Sequence, residues 1–112
     1  MKSISKELMG AASIPLILAV LKRGDNYGYE IVQEVKKLTN EKVNWKEASI
    51  YPVLKKMENS GMIKSYWKME ENQRPRRYYT ILADGKKQLE NNMVEWDLIH
   101  SALEKLMGMS GG

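Results

Sequence analysis

Cysteine is absent from all 112 residues, and histidine occurs once, at position 100. Without thiols, the chain can build neither a disulfide framework nor a thiolate metal site, which suits a reducing cytoplasm. A lone His100 with no second histidine or cysteine is a poor metal ligand, and neither metal nor cofactor is expected. Long apolar runs are missing as well. The longest, residues 14–21, falls well short of the ~20 needed to cross a bilayer. The first ten residues, MKSISKELMG, lack the small-residue cleavage site of a signal peptide, so a cytoplasmic location without membrane attachment is expected. Catalytic signatures are missing too. No glycine-rich phosphate loop is found, and no nucleophile stands beside a base and its orienting partner. The adjacent Glu70 and Glu71 read as solvated charge in a loop tip. No enzyme chemistry is expected.

What is present is uneven charge. Residues 1–82 hold 15 Lys and Arg against 9 Asp and Glu, while residues 83–112 hold 3 against 5. A basic body with a slightly acidic end fits nucleic-acid binding at one end and self-association at the other. The length suits one domain with an added oligomerisation helix.

Apolar spacing predicts a first helix over residues 5–23, which Pro15 should bend because proline removes a backbone donor and crowds the preceding turn. Arg23-Gly24-Asp25-Asn26 is a turn. Asn26 is expected to cap a second helix over 27–39, with Ile31, Val32, Val35 and Leu38 inside. Residues 39–43 read as a polar connection. Asn44 is expected to open a third helix, with Glu47 three residues on in a near capping box. Ile50, Leu54 and Met57 follow i, i+4, i+7 spacing and must face the core, and Gly61 ends the helix. Residues 63–69 alternate, with Ser65 and Trp67 on one face and Lys64, Tyr66 and Lys68 on the other. Residues 77–82 read as the partner strand, joined to them by the polar stretch 70–75.

A helix with lysines on its outer face, followed by an arginine-loaded hairpin, is the arrangement of a winged helix. The expected fold is mainly α with a small β-hairpin: a winged helix-turn-helix over 1–82, a dimerisation helix over 83–107, and a flexible tail over 108–112. On the third helix Ala48, Ser49, Tyr51, Pro52, Lys55, Lys56 and Asn59 face outward as DNA-binding candidates. Lysine reaches phosphate or guanine acceptors, serine and asparagine hydrogen-bond, and alanine touches a thymine methyl. Pro52 on this face is expected to let the backbone approach DNA closely. Lys64, Arg74, Arg76 and Arg77 form the wing, with Lys68 nearby, and Lys2 and Lys6 add weaker phosphate candidates. Strand alternation predicts that only one of Arg76 and Arg77 faces DNA, leaving its neighbour to pair with Glu70 or Glu71.

From residue 83 the period turns helical again. Leu89, Met93, Trp96, His100, Leu103 and Met107 recur at intervals of 4 and 3, the seam of a coiled coil, and Ile99 and Leu106 widen it. Leu89, Met93, Trp96, Ile99, Leu103, Leu106 and Met107 are therefore the expected homodimer interface. At its centre Trp96 would meet its twofold copy, and two facing indoles can trap a flat aromatic compound. Plain dimer core explains the same stripe, and that alternative stays open.

Residue identities add a resemblance. The chain is similar to the PadR-like transcriptional regulators over about residues 8–107. The matching residues are Gly24 with Tyr27-Gly28-Tyr29-Glu30-Ile31, then Ser49-Ile50-Tyr51-Pro52-Val53-Leu54, then Met57-Glu58 with Gly61-Met62-Ile63. Arg74-Pro75-Arg76-Arg77-Tyr78-Tyr79 and Leu82-Ala83-Asp84-Gly85 complete the set. The single last helix resembles the short branch of that family, and Gly24-Asp25-Asn26-Tyr27 with Trp96 resembles its multidrug-sensing members. The resemblance implies a homodimeric repressor on a pseudo-palindromic DNA operator. It also implies a planar aromatic ligand held near Trp96, with Leu8, Pro15, Met93 and His100 at the walls. The drug-sensing members carry an acidic residue where His100 stands, so Asp97 and its acidic neighbours Glu95 and Glu104 would supply the charge for a cationic ligand. Two rivals remain: a winged-helix DNA binder without a ligand, and a winged-helix protein-interaction module.

Overall fold

Ser5 opens the first helix, its hydroxyl accepting the Leu8 N–H at 3.2 Å. The computed structural model describes residues 4–43 and 45–108. Expectations placed on Lys2, on Asn44 as a cap and on the tail past residue 108 lie outside them. Helix α1 (Lys6–Arg23) carries Glu7 in its first turn and Lys22 and Arg23 in its last, matching the helix dipole at both ends. It runs uninterrupted through Pro15. Ile17, Leu18 and Leu21 are buried on one side, and the buried Ser13 hydroxyl donates to the Gly10 carbonyl at 3.0 Å.

Strand β1 (Asn26–Tyr27) replaces the expected cap. It pairs antiparallel with a later strand, Asn26 opposite Tyr79 and Tyr27 opposite Tyr78. That ladder holds Asn26 extended, so its carboxamide oxygen accepts the adjacent Tyr27 N–H at 2.9 Å instead of capping. Helix α2 starts later, at Gly28, and runs to Leu38. Ile31, Val32 and Val35 are buried as expected, whereas Leu38 in the final turn is 64% exposed. The connection after α2 is less polar than its sequence suggests, because Val43 and Trp45 both enter the core.

Glu47–Ser49 form one 3-10 turn, and helix α3 spans Ile50–Asn59. Ile50, Leu54 and Met57 are fully buried. Gly61 takes a left-handed φ of 79°, and its N–H bonds the Glu58 carbonyl while that of Met62 reaches the Met57 carbonyl. Strands β2 (Ile63–Met69) and β3 (Pro75–Ile81) form the hairpin, and with β1 they make a three-stranded sheet ordered β1-β3-β2. The turn is tighter than expected. The Glu70 N–H donates to the Arg74 carbonyl, so pairing extends to Met69 opposite Pro75. Trp67, placed by the alternation on one face with Ser65, is 67% exposed, because only Ile63 at the base of β2 reaches the core.

Helix α4 (Ala83–Leu106) packs along α1. Leu89, assigned above to the dimer seam, is buried in the chain's own core instead. The exposed part of the stripe begins one turn later, at Met93.

Candidate nucleic-acid interface

Every outward candidate around α3 is exposed: Ala48, Ser49, Tyr51, Pro52, Lys55, Lys56 and Asn59. Pro52 costs little here. Because α3 begins at Ile50, the proline sits in the first turn, where backbone N–H groups have no intrahelical partner to lose. Tyr51 lies against Gly28 of α2, and its hydroxyl donates to the Glu47 carboxylate at 3.0 Å. Partial burial, reinforced by that bond, pushes its pKa up to about 12.

Beside this face stands the wing. Arg74 at the turn is exposed, and it forms no ion pair among the described residues. Arg76 and Arg77 point to opposite faces of β3, as the alternation requires, and each has a carboxylate. Arg76 lies 3.8 Å from Glu70, the expected partner, with its guanidinium 4.5 Å from the Tyr27 ring centroid. Arg77 lies 3.4 Å from Glu58 on α3, a partner the sequence reading did not consider. The second Glu58 oxygen accepts the Ser65 hydroxyl at 2.7 Å. Lys64 on β2 is exposed.

The tyrosine cluster on the outer face of the sheet escaped the sequence reading. Tyr78 stacks on Tyr66 at a centroid distance of 5.9 Å and meets Tyr27 tilted by 59° at 5.3 Å, with the Lys68 ammonium 4.8 Å from its centroid. Its hydroxyl donates to Glu70 at 2.5 Å, the main cause of a pKa pushed up to about 12. Tyr66 donates to Asp25 at 2.6 Å, which raises its pKa as well. The available signal was register: Tyr66 opposes Tyr78 and Lys68 opposes Arg76, so all four share one face. Between wing and α3 lies an open cleft of about 700 Å³, lined among others by Tyr29, Tyr51, Lys55, Glu58, Arg76 and Arg77.

On α4 the stripe Met93, Trp96, Ile99, Leu103, Leu106 and Met107 is exposed, together with Val94 and Leu98. Trp96 borders a shallow hollow of about 270 Å³ with Ala11, Asn92, Glu95 and Ile99. The other expected wall residues do not line it. Leu8 is exposed and Pro15 half-buried on α1, while Met93, Asp97 and His100 are exposed on α4. His100 lies 3.4 Å from Glu104.

Fold and site together define a winged helix-turn-helix protein with a basic face and one appended helix. The chain belongs to the family described as the transcriptional regulator PadR-like family, whose model matches residues 17–91. Members of that family are transcription regulators, not enzymes. Over 92 residues the chain is 33% identical to "Uncharacterized protein X" of Lysinibacillus sphaericus, covering 82% of this chain and 84% of that one. It superposes on a transcriptional regulator from Clostridium thermocellum with a TM-score of 0.82 and 34% identity, covering 91% and 96% of the two chains. Bacillus subtilis PadR, solved in complex with operator DNA, gives a TM-score of 0.66 at 27% identity, covering 72% of this chain and 46% of that one. The chain thus spans less than half of that longer protein. Among the described residues, no helix is long and apolar enough to cross a membrane.

Proposed function

We propose that the chain is a homodimeric, sequence-specific DNA-binding repressor of the cytoplasm. The observation that carries this reading is one exposed basic face. Lys55, Lys56 and Asn59 on α3 are exposed, and the hairpin beside them carries the exposed Arg74 at its turn and the exposed Lys64 on β2, suited to base edges and phosphates respectively. The operator complex of B. subtilis PadR supports it, because that relative has the same fold. The exposed apolar stripe of α4 supports the dimer, since single exposed leucines are ordinary but a continuous stripe on one helix is not. Two copies of α3 would then enter successive major grooves about 34 Å apart on a pseudo-palindrome.

The test is fluorescence anisotropy of a labelled duplex from the gene's own upstream region, titrated at several salt concentrations. Saturable binding that survives excess unrelated DNA and weakens steeply with salt is the expected result. Binding that ignores salt would favour the protein-interaction module.

A ligand reading rests on the Trp96 hollow. A planar aromatic compound between the two Trp96 side chains would change the separation of the winged helices and release DNA, provided it prefers the unfit geometry. Trp96→Ala is expected to abolish both ligand binding and ligand-dependent release. If it abolishes neither, the protein is a DNA binder without this ligand.

A further inference from the structure

Two carboxylates, Glu47 and Glu58, line the same cleft as Lys55, Arg76 and Arg77. A surface meant for phosphates has no use for them by charge alone, since each repels the DNA backbone. Glu58 is the more constrained, because both of its oxygens are engaged. One accepts the Ser65 hydroxyl at 2.7 Å, and the other pairs with the Arg77 guanidinium at 3.4 Å. Recognition helix, β2 and β3 therefore meet at a single carboxylate.

The short bond to Ser65 anchors Glu58, so it cannot follow Arg77 if that side chain swings toward a phosphate. Arg77 is about half exposed, so its guanidinium would be free to reach a phosphate once the Glu58 carboxylate no longer holds it. Building on the DNA-binding reading, we propose that Glu58 restrains the protein's sequence-independent affinity. It holds Arg77 out of phosphate contacts, and it keeps the wing seated against α3 through Ser65. Glu58 is thus a positioning residue that acts through Arg77. It limits the part of binding that carries no sequence information, because non-specific binding consists almost entirely of phosphate contacts.

The test compares full-length wild type, Glu58→Gln, Arg77→Gln and the double variant on an unrelated duplex, by anisotropy across a salt series. The glutamine oxygen can still accept the Ser65 hydroxyl, so the hairpin keeps its seat while Arg77 is released. Glu58→Gln is expected to bind about five- to tenfold more tightly at ~0.1 M salt, with a log–log salt slope steeper by about 0.9. Arg77→Gln alone is expected to be nearly neutral, and in the double variant most of the gain disappears. Unchanged or weaker binding by Glu58→Gln overturns the proposal, as does a gain that persists without Arg77. Should Glu58→Gln fail to fold, Arg77→Gln decides: a loss of about tenfold on unrelated DNA would mean that Arg77 already contacts phosphate. Wild-type protein without salt-dependent binding to any duplex would overturn the DNA reading and this proposal together.

Discussion

The Tyr51 ring lies so close over Gly28 that a β-carbon at position 28 would stand 2.7 Å from it. The first residue of α2 thereby seats a side chain that comes from the start of α3. Only the far end of the tyrosine blocks the added methyl, and that ring can rotate away. Gly28→Ala is therefore expected to cost about 1 kcal/mol of stability, at the low end for overpacking. Operator affinity should fall several-fold in anisotropy, because Tyr51 loses its seat. Unchanged affinity would remove Tyr51 from the interface.

Gly85 tolerates no such change. A β-carbon there would press on the Met62 backbone carbonyl and on Cγ1 of Ile81, neither of which is a free end, and would crowd a Leu18 methyl. Gly85→Ala is expected to cost about 1–3 kcal/mol or more, a fall in Tm of roughly 5–15 °C by thermal melting. A melt equal to wild type would show that α4 can slide on α1.

Leu89 and Leu103 lie on the same periodic stripe, yet Leu89 is 7% exposed and Leu103 56%. Leu89→Ala should destabilise the chain by about 2–5 kcal/mol, as cavities in cores do. Leu103→Glu should leave each protomer folded by circular dichroism while sedimentation shows the dimer dissociating. A monomeric wild type would end the dimer reading.

Four tyrosines, at positions 51, 66, 78 and 79, have raised pKa values, and those of Tyr51 and Tyr78 reach about 12. A raised value means that the folded state holds the phenolic proton more tightly than the unfolded chain, whose tyrosines titrate near ~10. Their stabilisation is therefore complete below pH ~10 and is lost as pH rises from there toward 12. Thermal stability followed against pH, with phenolate absorbance as the second signal, should show that decline. Tyr78→Phe should make it shallower by removing the hydrogen bond to Glu70. A decline of equal steepness in that variant would assign the loss to other groups.

Helix α3 and the hairpin were legible in sequence because their signals are local. The i, i+4, i+7 spacing of Ile50, Leu54 and Met57 put all three in the core, and alternation over residues 63–69 marked β2 to its ends. The exposed DNA-binding candidates followed from the same periodicity. Boundaries fared worse where the backbone answers to something distant. Asn26 looked like a cap because asparagine caps helices, but its strand partner Tyr79 lies 53 residues away. The 3-10 turn at Glu47–Ser49 moved the start of α3 and turned Pro52 from a mid-helix oddity into a first-turn residue.

Periodicity by itself determined which side of each long helix is apolar, and composition determined that the outer side of the third helix and the wing is basic. What covers an apolar side, and what neutralises a cation, only the tertiary structure decided. Leu89 is covered by the chain's own core, while the stripe beyond it stays exposed. Arg76 found the carboxylate six residues back, but Arg77 found Glu58, on a different element, 19 residues away. The reason is physical. Helix and strand periods are set by backbone geometry within a few residues, whereas burial and ion pairing depend on distances between elements, which no local pattern encodes.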